Sequence, residues 1–300
     1  MNAKGHNMSR FNTTIISPDA ARTLLEKALF IDIQHQLADP SWWQQAYRAG
    51  HVPGAIFLPL DDALSAKPTG SNGRHPLPDR AAFARHMHAI GVRPGRQVIV
   101  YDQDTGAFAA RAWWMLNRWL GYDNTALMDG GLAAWRAAGH IVSTESITSE
   151  TLALHDAAQA PPLTADSPPV VTQTQVRANI VTSAFQIVDA RGGERYRGES
   201  EPMDAVAGHI PGALNRPFTD NIGADGRFKP QYELRREWAG LLGDRSADQV
   251  VHQCGSGVTA CHNMLAMEHA GLHGSRLYGG SWSEWSANPD NPMVRGPASA

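Results

Sequence analysis

The chain reads as an α/β protein made by tandem duplication, each copy a mostly parallel central sheet flanked by helices. Three observations predict this. Ala49-Gly-His-Val-Pro-Gly-Ala-Ile-Phe-Leu-Pro-Leu-Asp61 recurs as Ala207-Gly-His-Ile-Pro-Gly-Ala-Leu-Asn-Arg-Pro-Phe-Thr219, an offset of 158 residues. Short apolar runs alternate with helical stretches within each half, the signature of strands joined by crossover helices. Between the halves lies a segment of small polar residues holding four prolines, Pro161, Pro162, Pro168 and Pro169, a composition that favours an extended connector.

The repeat extends along both copies in the same order. Phe30-Ile-Asp32 matches Ile187-Val-Asp189. Gln97-Val-Ile-Val-Tyr-Asp102 matches Gln249-Val-Val-His-Gln-Cys254, and Asp129-Gly-Gly131 before Trp135 parallels Tyr278-Gly-Gly280 before Trp282 and Trp285. Val98–Tyr101 reads as a strand, followed by a helix over Ala109–Leu120 that stops at Gly121. With two long copies the pattern is a duplicated domain, not a solenoid. The expected boundaries are 1–142 for the first domain, 143–169 for the linker and 170–300 for the second domain.

Composition narrows the function. The apolar fraction is 42% and the net charge −3, which suits an ordinary globular core and argues against a nucleic-acid surface. No apolar run reads as a leader or a membrane span. Two cysteines in 300 residues make no disulfide framework, so the chain reads as cytoplasmic. The histidines, His86 and His88 among them, show no zinc-site spacing, and no metal is expected.

The chemistry gathers at Cys254. The run Gln249–His252 delivers its thiol into Gly255-Ser-Gly257-Val-Thr259, and a helix follows. Amides of such a loop can converge on one point, and the helix start adds partial positive charge, so the site suits a thiolate or an anionic sulfur adduct. At the matching place the first half carries Asp102, which cannot carry sulfur. Only the second half is expected to be chemically competent, with the first structural and lending a wall to the site. A cysteine-dependent phosphatase would need an arginine six residues past the nucleophile; Ala260 stands there, and that reading is rejected. Cys261 falls on an apolar stripe with Val258 and Leu265 and is expected in the core, a redox pairing with Cys254 being the lesser alternative. His51 and His209 sit in identical turns of both halves, which favours a structural role. The nine tryptophans read as core or interdomain packing.

The paired Gly-His-Val/Ile-Pro-Gly-Ala motifs, the aspartate in the first loop and the Cys-Gly-Ser-Gly-Val-Thr-Ala loop together resemble the two-domain rhodanese-type sulfurtransferases, over roughly Thr13 to Pro292 except the linker. The Cys254 loop looks most like that of the 3-mercaptopyruvate sulfurtransferases. The resemblance implies a persulfide on Cys254, no separate cofactor, and transfer to cyanide, small thiols or a thioredoxin-type protein. It implies a proton relay of Ser256, His75 and Asp61, the last two from the first domain. It also implies that Arg195 holds the donor carboxylate, while Arg191 pairs with Asp189. Gly255, Gly257, Val258 and Thr259 line the donor site, and their neutrality suits a mercapto-acid better than the thiosulfate dianion. Thiosulfate:cyanide transfer by the same persulfide is the alternative, and a non-enzymatic sulfur-relay module a lesser one. Met203 is a departure: relatives of this type often carry a second substrate-binding arginine there.

Overall fold

In a computed structural model, which describes residues 11–39, 41–145, 147 and 169–298, the chain forms two parallel sheets. The first contains β1 (Ile15–Ile16), β2 (Leu29–Asp32), β3 (Ile56–Phe57), β4 (Val98–Tyr101) and β5 (Thr125–Met128), in the order β1-β5-β4-β2-β3. The second contains β6 (Gln186–Asp189), β7 (Leu214–Asn215), β8 (Val250–Gln253) and β9 (Arg276–Leu277), in the order β7-β6-β8-β9. All paired strands run parallel. A parallel bridge from Val170 to Leu277 takes the place of β1 in the second sheet, so the two orders correspond strand for strand. Most of the proline-rich linker lies outside the described residues.

The central strands are buried from end to end, as expected of a parallel sheet covered on both faces. The matched turns are built alike. His51 Nδ1 donates to the Tyr47 carbonyl at 2.7 Å and its ring stacks on that of Tyr47; His209 does the same with Tyr196 at 2.8 Å. A donor is required there, since a carbonyl only accepts, so both rings carry their proton on Nδ1.

The halves meet along the helices that follow β4 and β8, Ala109–Trp114 and Ala260–His269. Trp113, Trp114, Leu116, Val258, Cys261 and Leu265 belong to one buried apolar cluster. Helix geometry departs from the sequence expectation after Trp114: Met115–Trp119 is a π-helix. Its wider turn stacks Trp114 and Trp119, five residues apart, at 6.2 Å. Loops at the carboxyl ends of β4 and β8 therefore lie against the domain interface, where ligands of parallel α/β sheets bind.

Candidate active site

Cys254 follows β8 directly and is 2% exposed. The Gly257 N–H donates to its Sγ at 3.1 Å. Gly257 has φ +78, and a Cβ there would lie 2.3 Å from the Gly279 carbonyl oxygen. Only glycine closes the loop in this way. The backbone N–H of Cys254 donates to Ser281 Oγ at 3.1 Å, and that hydroxyl donates to the Tyr278 carbonyl at 2.9 Å. Ser281 holds φ +56 although it is not glycine. Backbone bonds from Trp282 to the Cys254 carbonyl and from Ser283 to that of Gly255, 3.0 and 2.9 Å, lace the same turn to the loop. Gly255, Ser256, Val258 and Thr259 keep backbone N–H groups with no acceptor among the described residues, donors left for an incoming anion.

The first domain supplies the residues opposite. His75 Nδ1 is 2.7 Å from Ser256 Oγ, and its Nε2 is 3.1 Å from Asp61 Oδ1. The hydrogen bond from His75, foremost, holds the Asp61 carboxyl below its ordinary range. An ionised carboxylate accepts only, so His75 Nε2 donates to Asp61 while its Nδ1 faces the Ser256 hydroxyl. The sequence-predicted trio is therefore assembled, across the domain boundary and 181 residues of chain.

Arg195 also reaches the loop. Its guanidinium binds Glu201 at 3.2 and 2.6 Å and Asp204 at 3.4 Å, and it lies 3.5 Å from where a Gly255 Cβ would be. Arg191 is turned away: it forks onto Asp189, caps the Gly208 carbonyl and lies 4.6 Å from the Trp282 ring centroid. Cys261 is fully buried, bonds the Gly257 carbonyl, and burial pushes its thiol up to about 12. It is inert as a nucleophile at neutral pH.

Three residues at the site escaped the sequence reading. Ser281 has no counterpart in the sequence match, which sets Gly131 against Gly280. The backbone bonds place Gly131, φ +55, opposite Ser281 instead, since Leu132 bonds the Asp102 carbonyl as Trp282 bonds that of Cys254. Arg74 lies beside His75, pairs with Asp204, and its Nη2 is 2.8 Å from a Cβ built on Gly255. Arg111 is fully buried; it donates to the Gly257 carbonyl at 3.0 Å and to those of His75 and Leu64 at 3.1 and 3.5 Å. No carboxylate pairs with it among the described residues. A charged residue inside Ala109-Ala-Arg-Ala-Trp-Trp114 was the available signal, since a buried arginine needs partners for its donors.

Among the described residues, no helix is long and apolar enough to cross a membrane, and no group of three or more His, Cys, Asp or Glu side chains could hold a metal ion. The rhodanese-like domain family matches residues 17–138 and again 172–288. A Pseudomonas aeruginosa protein named "Probable 3-mercaptopyruvate sulfurtransferase" is 45% identical over 279 residues, 92% of this chain and 95% of its own. The hamster (Cricetulus griseus) thiosulfate sulfurtransferase is 33% identical over 278 residues, 87% of this chain and 89% of its own. In structure, the 3-mercaptopyruvate sulfurtransferase of Leishmania major superposes with a TM-score of 0.78 at 30% identity, covering 91% of this chain and 74% of that one. With one domain match in each half and relatives aligned across nearly its full length, the chain belongs to the rhodanese family as a two-domain member.

Proposed function

We propose that this sulfurtransferase takes sulfur from 3-mercaptopyruvate onto Cys254 as a persulfide and passes it to a thiol or to cyanide. The observation that carries the reading is that the loop holding the Cys254 sulfur by an amide also carries Ser256, which meets His75 and Asp61 of the first domain. Cys254 thiolate attacks the donor sulfur; the S–S bond forms as the C–S bond breaks, and its electron pair moves into the pyruvate enolate. The proton of the donor thiol passes through Ser256 and His75 to the enolate carbon. The products are pyruvate and an anionic persulfide, so atoms and charge balance. His75 Nδ1, without a proton, is the correct base for the first transfer, and Asp61 stabilises the imidazolium that forms. The loop amides and the Arg111 cation beneath suit the negative outer sulfur. Cyanide or a thiol then attacks that sulfur and returns Cys254 as thiolate.

Charge around the loop favours a monocarboxylate donor over thiosulfate. Residues 255–259 are neutral, and Glu201 and Asp204 pair with the Arg195 guanidinium, the last also with Arg74. The direct test is intact mass after incubation with each donor and no acceptor. One added sulfur atom is expected with 3-mercaptopyruvate, removed by cyanide and absent in Cys254→Ser. Loading from thiosulfate alone would replace the donor, and loading of Cys254→Ser would end the persulfide proposal.

A further inference from the structure

We infer that Ser283 is a positioning residue of the proton relay, one residue that sets His75 of the first domain in register with Ser256 of the second. The inference rests on the relay reading above and deepens it. Ser283 holds both partners of the Ser256–His75 contact, each by the residue that precedes it. Its N–H donates to the Gly255 carbonyl at 2.9 Å, and its Oγ accepts from the Arg74 N–H at 3.0 Å. The hydroxyl proton goes to the Gly280 carbonyl at 3.2 Å, which leaves the oxygen lone pairs for Arg74. Between these anchors Ser256 Oγ and His75 Nδ1 stand 2.7 Å apart.

The first domain separates what the fold requires from what the site adds. There Leu132 and Ala133 bond the carbonyls of Asp102 and Gln103, as Trp282 and Ser283 bond those of Cys254 and Gly255. Ala133 thus fills the place of Ser283 with the same backbone bond and no hydroxyl. The N–H bond belongs to the fold, and the Oγ is an addition of the second domain. That Oγ reaches across the domain boundary to the chain that carries His75.

This chain lies flush on the turn. Gly73 has φ +84, and a Cβ there would lie 2.8 Å from the Gly280 carbonyl oxygen and 3.3 Å from Ser283 Oγ. A Cβ on Gly279 would lie 3.5 Å from Leu77 Cδ1. Arg111 takes the His75 carbonyl at 3.1 Å. The histidine backbone is therefore tied on one side to its own domain and on the other, through Arg74, to Ser283. Without the hydroxyl the Arg74 N–H loses its acceptor and the second tie is gone. Proton transfer requires Ser256 and His75 in hydrogen-bond reach, and a small displacement slows it strongly.

The experiment follows the two half-reactions separately in single turnovers. Loading from 3-mercaptopyruvate runs a proton through Ser256 and His75; discharge of preformed persulfide by cyanide moves none. Ser283→Val and Ser283→Thr have nearly the same shape, and only the second keeps a hydroxyl. Loading should fall about tenfold in Ser283→Val and stay within about threefold in Ser283→Thr, with discharge within about threefold in both. Ser283→Ala should match Ser283→Val, and takes its place if the branched side chain upsets folding. On a His75→Ala background, loss of the hydroxyl should slow loading no further, because the contact it positions is gone. Equal loading by the Val and Thr variants, equal slowing of loading and discharge, or full additivity with His75→Ala would each overturn the inference and leave the sulfur-transfer reading standing. Unaltered protein that takes no sulfur from 3-mercaptopyruvate would overturn both.

Discussion

The loops after β4 and β8 occupy the same place in their sheets and use their amides in opposite ways. In the first, Asp102 folds back and fills the cradle itself: Asp104, Gly106, Phe108 and Ala109 donate their N–H groups to its carboxylate at 3.1, 2.9, 2.9 and 3.2 Å. In the second, Gly257 alone donates to the side chain at the head of the loop. The glycines correspond, with φ +81 at Gly106 and +78 at Gly257, though the first loop is one residue longer before its helix. A carboxylate has several lone-pair sites and can satisfy a nest of amides permanently. A sulfur at the same place satisfies one and leaves the rest with no acceptor among the described residues. The Asp102 loop is therefore more than one lacking a thiol. It is a closed version of the same device.

The supports beneath the loops differ in charge as well. Arg111, from the first helix, donates to the Gly257 carbonyl in the second loop, and His262, from the second helix, contacts the Thr105 carbonyl in the first at 3.1 Å. The two residues hold matching positions, each crossing the interface to brace the other domain's loop. One brace is a permanent cation. The other is a histidine that burial pushes down to about 4, hence neutral near pH 7. Positive charge is thus placed under the sulfur and withheld from the loop that already contains its own anion.

The largest expected break in this comparison is Cys254→Ser, which should abolish sulfur loading by mass and bring turnover to the uncatalysed level. Next comes the relay. His75→Ala should lower kcat for 3-mercaptopyruvate by about a hundredfold or more, the usual weight of a general acid–base. Transfer from preformed persulfide to cyanide, which requires no proton, should slow far less in single-turnover experiments. Equal losses in both steps would place His75 in loop support instead of proton transfer.

Stability separates the loops in the opposite direction. Asp102→Ala leaves four amides of a buried loop without an acceptor and should cost about 2–4 kcal/mol in urea unfolding. Asp102→Asn keeps one acceptor oxygen and should cost less. Loading of Cys254 should persist in whatever fraction stays folded. The braces give a smaller contrast: Arg111→Met should reduce turnover about tenfold through a loosened Gly257 and His75, whereas His262→Gln, which can still donate to Thr105, should change it less than about threefold.

Much of this is legible in the sequence, for identifiable reasons. The duplication is written in motifs that make turns, and turns demand specific residues such as Gly50 and Gly208, whose φ values are +153 and +133. Cys254 was exposed by contrast with Asp102. Ser256, His75 and Asp61 were reached only through family resemblance, since nothing in local spacing brings together residues 181 positions apart. Arg74, Arg111 and Ser281 stayed hidden because their roles are created by the interface or by backbone strain. Arg74 reads as one more surface charge until Asp204 and Gly255 are set beside it. Ser281 looks like a helix-start serine until its φ of +56 shows that it holds a glycine conformation to reach Cys254.

The smallest effect concerns pH. His262 is pushed down to about 4 by burial, foremost, and His252, in the core of β8 beside Met267, to about 3 by the same cause with Arg216 adding to it. Both are neutral in the folded protein and return toward the ordinary histidine value near 6.5 on unfolding. Between about pH 6.5 and 4 the unfolded chain therefore binds more protons than the folded one. Stability falls as pH is lowered through that window, and the loss from His262 is complete once pH drops below its folded value. The brace of the Cys254 loop is an arginine, which stays charged across that window. Urea midpoints measured from pH 7.5 to 4.5 should slope downward in the unaltered protein, and His262→Gln should reduce the slope by up to one proton. If His262→Gln left the slope unchanged, its ring would already be charged in the fold, and the contrast between a cationic brace and a neutral one would fail.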